Sequence, residues 1–229
     1  MEARVTATKI RGRSRPVPQP GFTPIFPNNW HGHAFQYGTG DFSSLSPMQL
    51  GPTTDNAFNI ENYYQFSKVF PNELSEEVCD CGSISLGEHF KPGPKFYEAR
   101  AAAFADKTPH RHKQKNVIPA YSAYGNPEVH CDYIESRWYY CSEMERLGSA
   151  TPAFKRLYDM FWVEKKSLEI FGYDAYPPNG TDVESLYAHY CDPKRPFGHE
   201  LVILTMIVLK PEEYPWKRER PVERKKIKV

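Results

Sequence analysis

The sequence predicts a mainly α protein with minor β, folded as a single domain over residues 21–209 with long ordered loops. Three observations predict it. Apolar residues recur at helical spacing in several segments, and only one short segment alternates like a strand. The 21 prolines fall mostly in connecting segments, and the 15 Tyr and 14 Phe supply large side chains with which irregular loops can be packed. A chain of 229 residues with 40% apolar and 25% charged side chains can bury a sizeable core, which excludes a disordered or fibrous protein.

Charge is uneven along the chain. Residues 1–15 carry a net +4 and residues 210–229 another +4, leaving −7 for the rest of a chain whose total is +1. Residues 1–20, ending in Pro16, Pro18 and Pro20, read as a flexible basic arm, and 210–229 as a basic tail. Such ends are solvated, or else add weak sequence-independent attraction to nucleic-acid phosphates. The longest apolar run, Leu201 to Leu209, is broken by Thr205. A bilayer span needs roughly 20 residues. No membrane partner is expected, and with no signal-type segment at the start the expectation is a cytoplasmic protein. Five cysteines are an odd number, and Cys79 and Cys81 are the only close pair. Neither a disulfide framework nor a zinc set is expected, so the thiols read as reduced and structural, with no metal and no cofactor.

The elements follow in order. Asn59–Phe70 reads as a helix capped by Asn59 and ended by Pro71. Residues 94–105 form a second, with Pro94 in the first turn and an Ala-rich stretch. Residues 106–130 read as a loop holding the basic run His110-Arg111-His112-Lys113. Residues 131–147 form a third helix with two stripes, one through Tyr133, Arg137, Tyr140, Met144 and Leu147, the next through Ile134, Trp138 and Cys141. Thr151-Pro152 opens a fourth, with Phe154, Leu157, Tyr158 and Phe161 on one face. Residues 167–173 are the strand, and Thr181-Asp182-Val183-Glu184 is a capping box that starts a helix near 182. Residues 199–209 fit strand by β-branching and helix by length.

Glu61, Tyr64/Gln65 and Lys68 stand at i, i+3/i+4 and i+7, one helix face about 10 Å long. A carboxylate, a hydrogen-bonding middle and an amine can then share one cavity. Burial favours the neutral amine of such a lysine, a nucleophile toward an aldehyde or an anomeric carbon, and the glutamate can move protons. Phe197-Gly198-His199-Glu200 is a second candidate, with His199 as a proton carrier or base contact. Asp174, after the strand, can hold a ribose hydroxyl, and Trp138, Tyr139 and Tyr140 can stack on a base or fill core. The absence of a P-loop, a G-x-G-x-x-G and a nucleophile elbow excludes kinase, Rossmann and α/β-hydrolase readings.

The loop Phe42-Ser43-Ser44-Leu45-Ser46-Pro47, followed by Ile60-Glu61-Asn62-Tyr63-Tyr64-Gln65-Phe66-Ser67-Lys68-Val69-Phe70, resembles the opening of the NADAR family. The helix with Arg137 and Met144, Thr151-Pro152-Ala153-Phe154 and Phe171-Gly172-Tyr173-Asp174 are similar to later family segments in the same order. The resemblance spans roughly residues 40–209 and is specific over 42–70. It implies an α-rich fold, a helix for 199–209, and cleavage of the N-glycosidic bond of a phosphorylated ribosyl compound, such as ADP-ribosylated guanine or a related modified nucleotide. It implies Lys68 as the imine-forming nucleophile and Glu61 as the acid/base. Ser46, Tyr64, Gln65, Asp174 and His199 would face the substrate, with Arg137 on a phosphate. The partner is then a nucleotide-like small molecule or an ADP-ribosylated nucleic acid. The chain departs from the family pattern at Asn62, where the family has His, at Arg195–Leu201, and in a long insert over 71–95. These departures also fit a catalytically degenerate accessory protein that binds nucleotide or nucleic acid.

Overall fold

The computed structural model describes residues 2–11, 16–28, 38–79, 86–114, 116–126 and 128–218. Among these, eight strands in three small sheets accompany six α-helices, so the fold is an α/β mixture and not mainly α. The strands that sequence periodicity passes over account for the difference.

The first of them lies in the expected basic arm. β1 (Val5–Lys9) buries Val5 and Ala7 and pairs in parallel with β8 (Ser167–Gly172), Val5 opposite Leu168. β2 (Phe22–Ile25) pairs in parallel with the other edge of β8. β8 is thus the centre of a parallel sheet. Its residues Leu168 to Phe171 are all buried, as a strand covered on both faces requires. Glu169 within that run is satisfied by its neighbours: Thr8 Oγ1 donates to Oε1 at 2.6 Å and the Gln19 amide to Oε2 at 2.6 Å. The rest of the arm, 12–15, lies outside the described residues.

The expected loop over 106–130 contains two strands. β3 (Lys68–Val69), β6 (Tyr121–Tyr124) and β7 (Val129–Cys131) form an antiparallel sheet in the order β3-β6-β7. The 71–95 insert supplies an antiparallel hairpin of β4 (Leu74–Cys79) and β5 (His89–Pro92).

The helices follow their local signals closely. α1 (Ile60–Gln65) is shorter than expected, for reasons that belong to the site. α2 (Pro94–Ala105) matches its expected span, with Gly93 as N-cap and Pro94 in the first turn. α3 (Tyr133–Gly148) is opened by a capping box of Asp132 and Glu135. Its first stripe is buried at Arg137, Tyr140 and Met144, but Trp138 of the second is half exposed. α4 (Pro152–Trp162) is capped by Thr151. α5 (Val183–Cys191) is capped by Asp182, whose side chain accepts from the Ser185 amide, and not by Thr181. α6 (His199–Val208) buries Glu200 to Ile207 without a break and packs on β8 and α3. The tail begins later than expected, because Tyr214 and Trp216 are buried in the main core. The indole of Trp216 donates to Glu145 Oε2 at 2.8 Å. Residues 219–229 lie outside the described residues. No described helix is long and apolar enough to cross a membrane.

Candidate functional site

Asn59 starts α1 as expected, its side chain accepting from the Asn62 amide at 2.8 Å. The helix stops at Gln65 because the next residues have better partners elsewhere. The Ser67 hydroxyl donates back to the Tyr63 carbonyl at 2.7 Å, and the Ser67 and Val69 carbonyls accept from Ala123 and Ala120 of the β6 segment. β-Branched Val69 and Phe70, which precedes Pro71, favour extended backbone. Lys68 therefore sits on β3 and not on the helix, so the shared helix face is not what joins it to Glu61.

A hydrogen-bonded chain joins them instead. Lys68 Nζ donates to Gln65 Oε1 at 2.9 Å, and Gln65 Nε2 donates to Glu61 Oε1 at 2.9 Å. Gln65 bridges amine and carboxylate, a role that the i, i+4 spacing of Glu61 and Gln65 permits. The Lys68 amine also lies 4.2 Å from the centre of the Tyr64 ring.

These groups open onto a cavity of about 890 Å³ between α1, α3, the end of β8 and the start of α6. Ser46, Glu61, Tyr64, Gln65, Lys68, Arg137, Asp174 and His199, the eight residues singled out in the sequence, all line it. They come from five separate stretches of chain. Glu200, which the second candidate paired with His199, lines it too, and so do Arg111 and Lys113 of the basic run, to which sequence reasoning assigned no role in the site. Tyr133, Tyr140 and Tyr173 complete an aromatic side, with Tyr133 and Tyr173 half exposed. Of the other aromatics considered for stacking on a base, Tyr139 stacks on Tyr124 at 4.3 Å. Trp138 is not among the lining residues.

Burial sets the protonation of three lining groups. It lowers Lys68 to about 8, against the pull of Glu61 and Asp174 and with help from Arg111. It lowers His199 to about 4 against the same two carboxylates, so the imidazole is neutral near pH 7, and its Nε2 has no hydrogen-bond partner. It raises Glu200 to about 8, so that carboxyl keeps its proton near pH 7, and its Oε2 is also without a partner. His199 Nδ1 and Glu200 Oε2 are 3.4 Å apart, but with both groups neutral this is no ion pair. Two glycines make the space for Glu200. A Cβ at Gly172 would stand 1.5 Å from its Oε1, and one at Gly198 2.8 Å from its Oε2.

Arg137 does not have the expected freedom to grip a phosphate. It is buried, and both terminal nitrogens donate to main-chain carbonyls, those of His189 and Tyr190 at the end of α5 and of Asp192 and Arg195 beyond it. It closes that loop against α3. The available cations are Arg111 and Lys113, both exposed on the basic run. Asn62 and His112 hold the run in place. Asn62 Nδ2 lies within 3.0 Å of the Ala103, Asp106 and Thr108 carbonyls, and its Oδ1 accepts from the His110 amide at 2.7 Å. His112 stacks on Phe66 at 4.7 Å and pairs with Glu73 at 2.8 Å. Asn62 is thus the residue that carries the loop.

The thiols also differ from expectation. Cys131, Cys141 and Cys191 are in no disulfide, but Cys79 is in one, and Cys81 lies outside the described residues. Cys79, His89 and His130 bring ligand atoms within 4.8 Å of one another, a set distant in sequence that could hold a metal. Comparison of the chain with protein-family models, curated proteins and solved structures finds no match.

Proposed function

We propose that the chain is an N-glycosidase acting on the bond between ribose and base in a phosphorylated ribosyl compound, with Lys68 as nucleophile. The observation that carries this reading is the Lys68–Gln65–Glu61 chain inside the cavity, with the amine lowered to about 8 by burial. Near pH 7 a usable fraction of that amine is neutral, whereas an ordinary lysine offers almost none. The amine attacks the anomeric carbon as the C–N bond to the base breaks, and the bonding pair leaves with the base. Glu200, the protonated carboxyl in the same cavity, is the group able to give that base a proton. Glu61 takes the proton from the Lys68 nitrogen through Gln65 or a water, and the ribose ring opens to an imine as its ring oxygen is protonated. Water then adds, and the amine and the free sugar are released. Arg111 and Lys113 at the rim match a phosphate, and the half-exposed rings of Tyr133 and Tyr173 match a base.

Incubation with ADP-ribosylated guanine nucleosides and with phosphoribosyl pyrimidines, followed by borohydride, tests the proposal. We expect a freed base and a reduced sugar adduct mapping to Lys68. Unchanged turnover in Lys68→Ala overturns the imine route. Tight binding of every compound with no base released would favour the accessory-protein reading instead.

A further inference from the structure

We propose that Cys79, His89 and His130, with a water as fourth ligand, form a site for a zinc ion once a thiol reductant has opened the Cys79 disulfide to a thiolate, and that the ion fastens the β4–β5 hairpin to the β6–β7 sheet. The site is separate from the cavity and shares no residue with it.

The strands deliver the ligands. Cys79 ends β4 and is paired in register with His89, the first residue of β5. His130 is the middle residue of β7. Cys79 and His130 are buried and His89 is partly so. Cys79 Sγ lies 3.6 Å from His130 Nδ1, and His89 Nε2 lies 2.7 Å from the same atom. Tetrahedral zinc, with bonds of about 2.0–2.1 Å to nitrogen and 2.3 Å to sulfur, sets its ligand atoms about 3.3–3.8 Å apart. The sulfur already stands at that distance from His130 Nδ1, and the two imidazoles need to part by about half an ångström to admit the ion.

The outer partners set the tautomers. His89 Nδ1 lies 2.9 Å from the Gly87 carbonyl, and His130 Nε2 lies 2.7 Å from Glu128 Oε1. A carbonyl and a carboxylate only accept, so each ring donates outward, and a ring in its neutral form then turns a lone pair inward. Two nitrogens at 2.7 Å need a cation between them, either a proton shared by the two rings or a metal ion. Histidines that ligate metals are oriented by this same outward bond to carbonyl or carboxylate. A thiolate with two imidazoles suits zinc better than magnesium or calcium. A disulfide sulfur carries no charge to offer, so the disulfide at Cys79 and the ion exclude each other. The hairpin has reason to be fastened. Val78 and Phe90 are half exposed, and a two-stranded ribbon alone is marginal in water.

Cobalt(II) titration of the full chain, stripped with chelator and kept reduced with a phosphine, tests the site. One equivalent per chain should give the sulfur-to-cobalt charge-transfer band and the strong visible bands of a tetrahedral ion, and zinc should displace both. Cys79→Ser should lose the charge-transfer band, and oxidised wild type should show no site. Glu128→Gln should keep the spectrum and bind about 10–100-fold more weakly. Should Cys79→Ser fail to fold, the reduced and oxidised wild type carry the test. Reduced protein without a tetrahedral cobalt spectrum overturns the proposal, and so does a charge-transfer band that survives Cys79→Ser. In the first case the close imidazole pair is held by a shared proton instead.

Discussion

Glu169 on β8 and Glu200 on α6 are equally hidden, each 1% exposed. Glu169 accepts from Thr8 and from the Gln19 amide, one donor to each oxygen. Glu200 has an oxygen without a partner, and burial raises it to about 8. Burial is common to both, and the number of partners is not. An unpartnered buried oxygen costs about 1–3 kcal/mol, which the fold tolerates at Glu200 only beside a cavity that can supply a ligand. The same contrast separates two cations of the site. Arg137 spends both terminal nitrogens on carbonyls, whereas the Lys68 amine has Gln65 and one ring face. Glu169 and the two terminal nitrogens of Arg137 are held by the fold, although Arg137 Nε has no partner, whereas Glu200 and Lys68 keep polar atoms that the fold does not tie down.

The sharpest way to break that contrast is Lys68→Ala. It should retain the wild-type melting temperature within a few degrees, lose base release by several orders of magnitude and give no borohydride adduct. An unfolded variant would show that Lys68 belongs with Arg137.

Glu200→Gln should cost about 10²–10⁴-fold in kcat, the usual worth of a positioned proton donor. In wild type, kcat/KM should rise with pH toward 8 as the Lys68 ammonium loses its proton, then fall as the Glu200 carboxyl ionises. The variant should lose the falling limb. Glu169→Gln should instead lose stability with kcat unchanged, since it disturbs only the sheet. Equal kinetic profiles for the two variants would dissolve the comparison.

Stability gives a smaller effect with a definite sign. The folded-state value for Glu200 lies above its ordinary 4.5, so its contribution is complete below pH 4.5 and is lost as pH rises toward 8. His199 acts oppositely, losing its contribution as pH falls from 6.5 toward 4, and Lys68 adds stability only as pH rises from about 8 to 10.5. The window from 6.5 to 8 therefore isolates Glu200. Across it, Glu200→Gln should gain on wild type in denaturant melts by on the order of a few kcal/mol at most. A constant difference would show that the carboxyl does not take up a proton on folding.

How much of this was legible in the sequence depended on the range of the forces involved. Gly93-Pro94 and the Asn59 cap act within one turn, and the starts they mark are where the structure has them. The end of α1 was not legible, because β6 takes the Ser67 and Val69 carbonyls from more than 50 residues away. Tyr121–Tyr124 is buried at every position, so it showed no alternation, and Val5 and Ala7 were overlooked beside the charges of the arm. The eight expected residues do meet in one cavity, yet Lys68 arrives there from a strand and Arg137 arrives already engaged. Cys79, His89 and His130 follow no compact motif, and only the register of the hairpin and β7 gathers them.

The smallest effect should fall on the rim. Arg111 is exposed, and its neighbour His112 is stacked on Phe66, so a truncated Arg111 leaves the loop anchored. Arg111→Ala should raise KM for a phosphorylated substrate about tenfold, equivalent to about 1.4 kcal/mol, near the low end for a hydrogen bond to a charged group. It should leave kcat unchanged, and added salt should narrow the gap to wild type, because an exposed charge is screened. Asn62→Ala, which frees the whole run, should raise KM further and lower stability as well. A fall in kcat at constant KM in Arg111→Ala would move that guanidinium from the rim to the reacting bond, and the division between binding cations and a reacting amine would have to be redrawn.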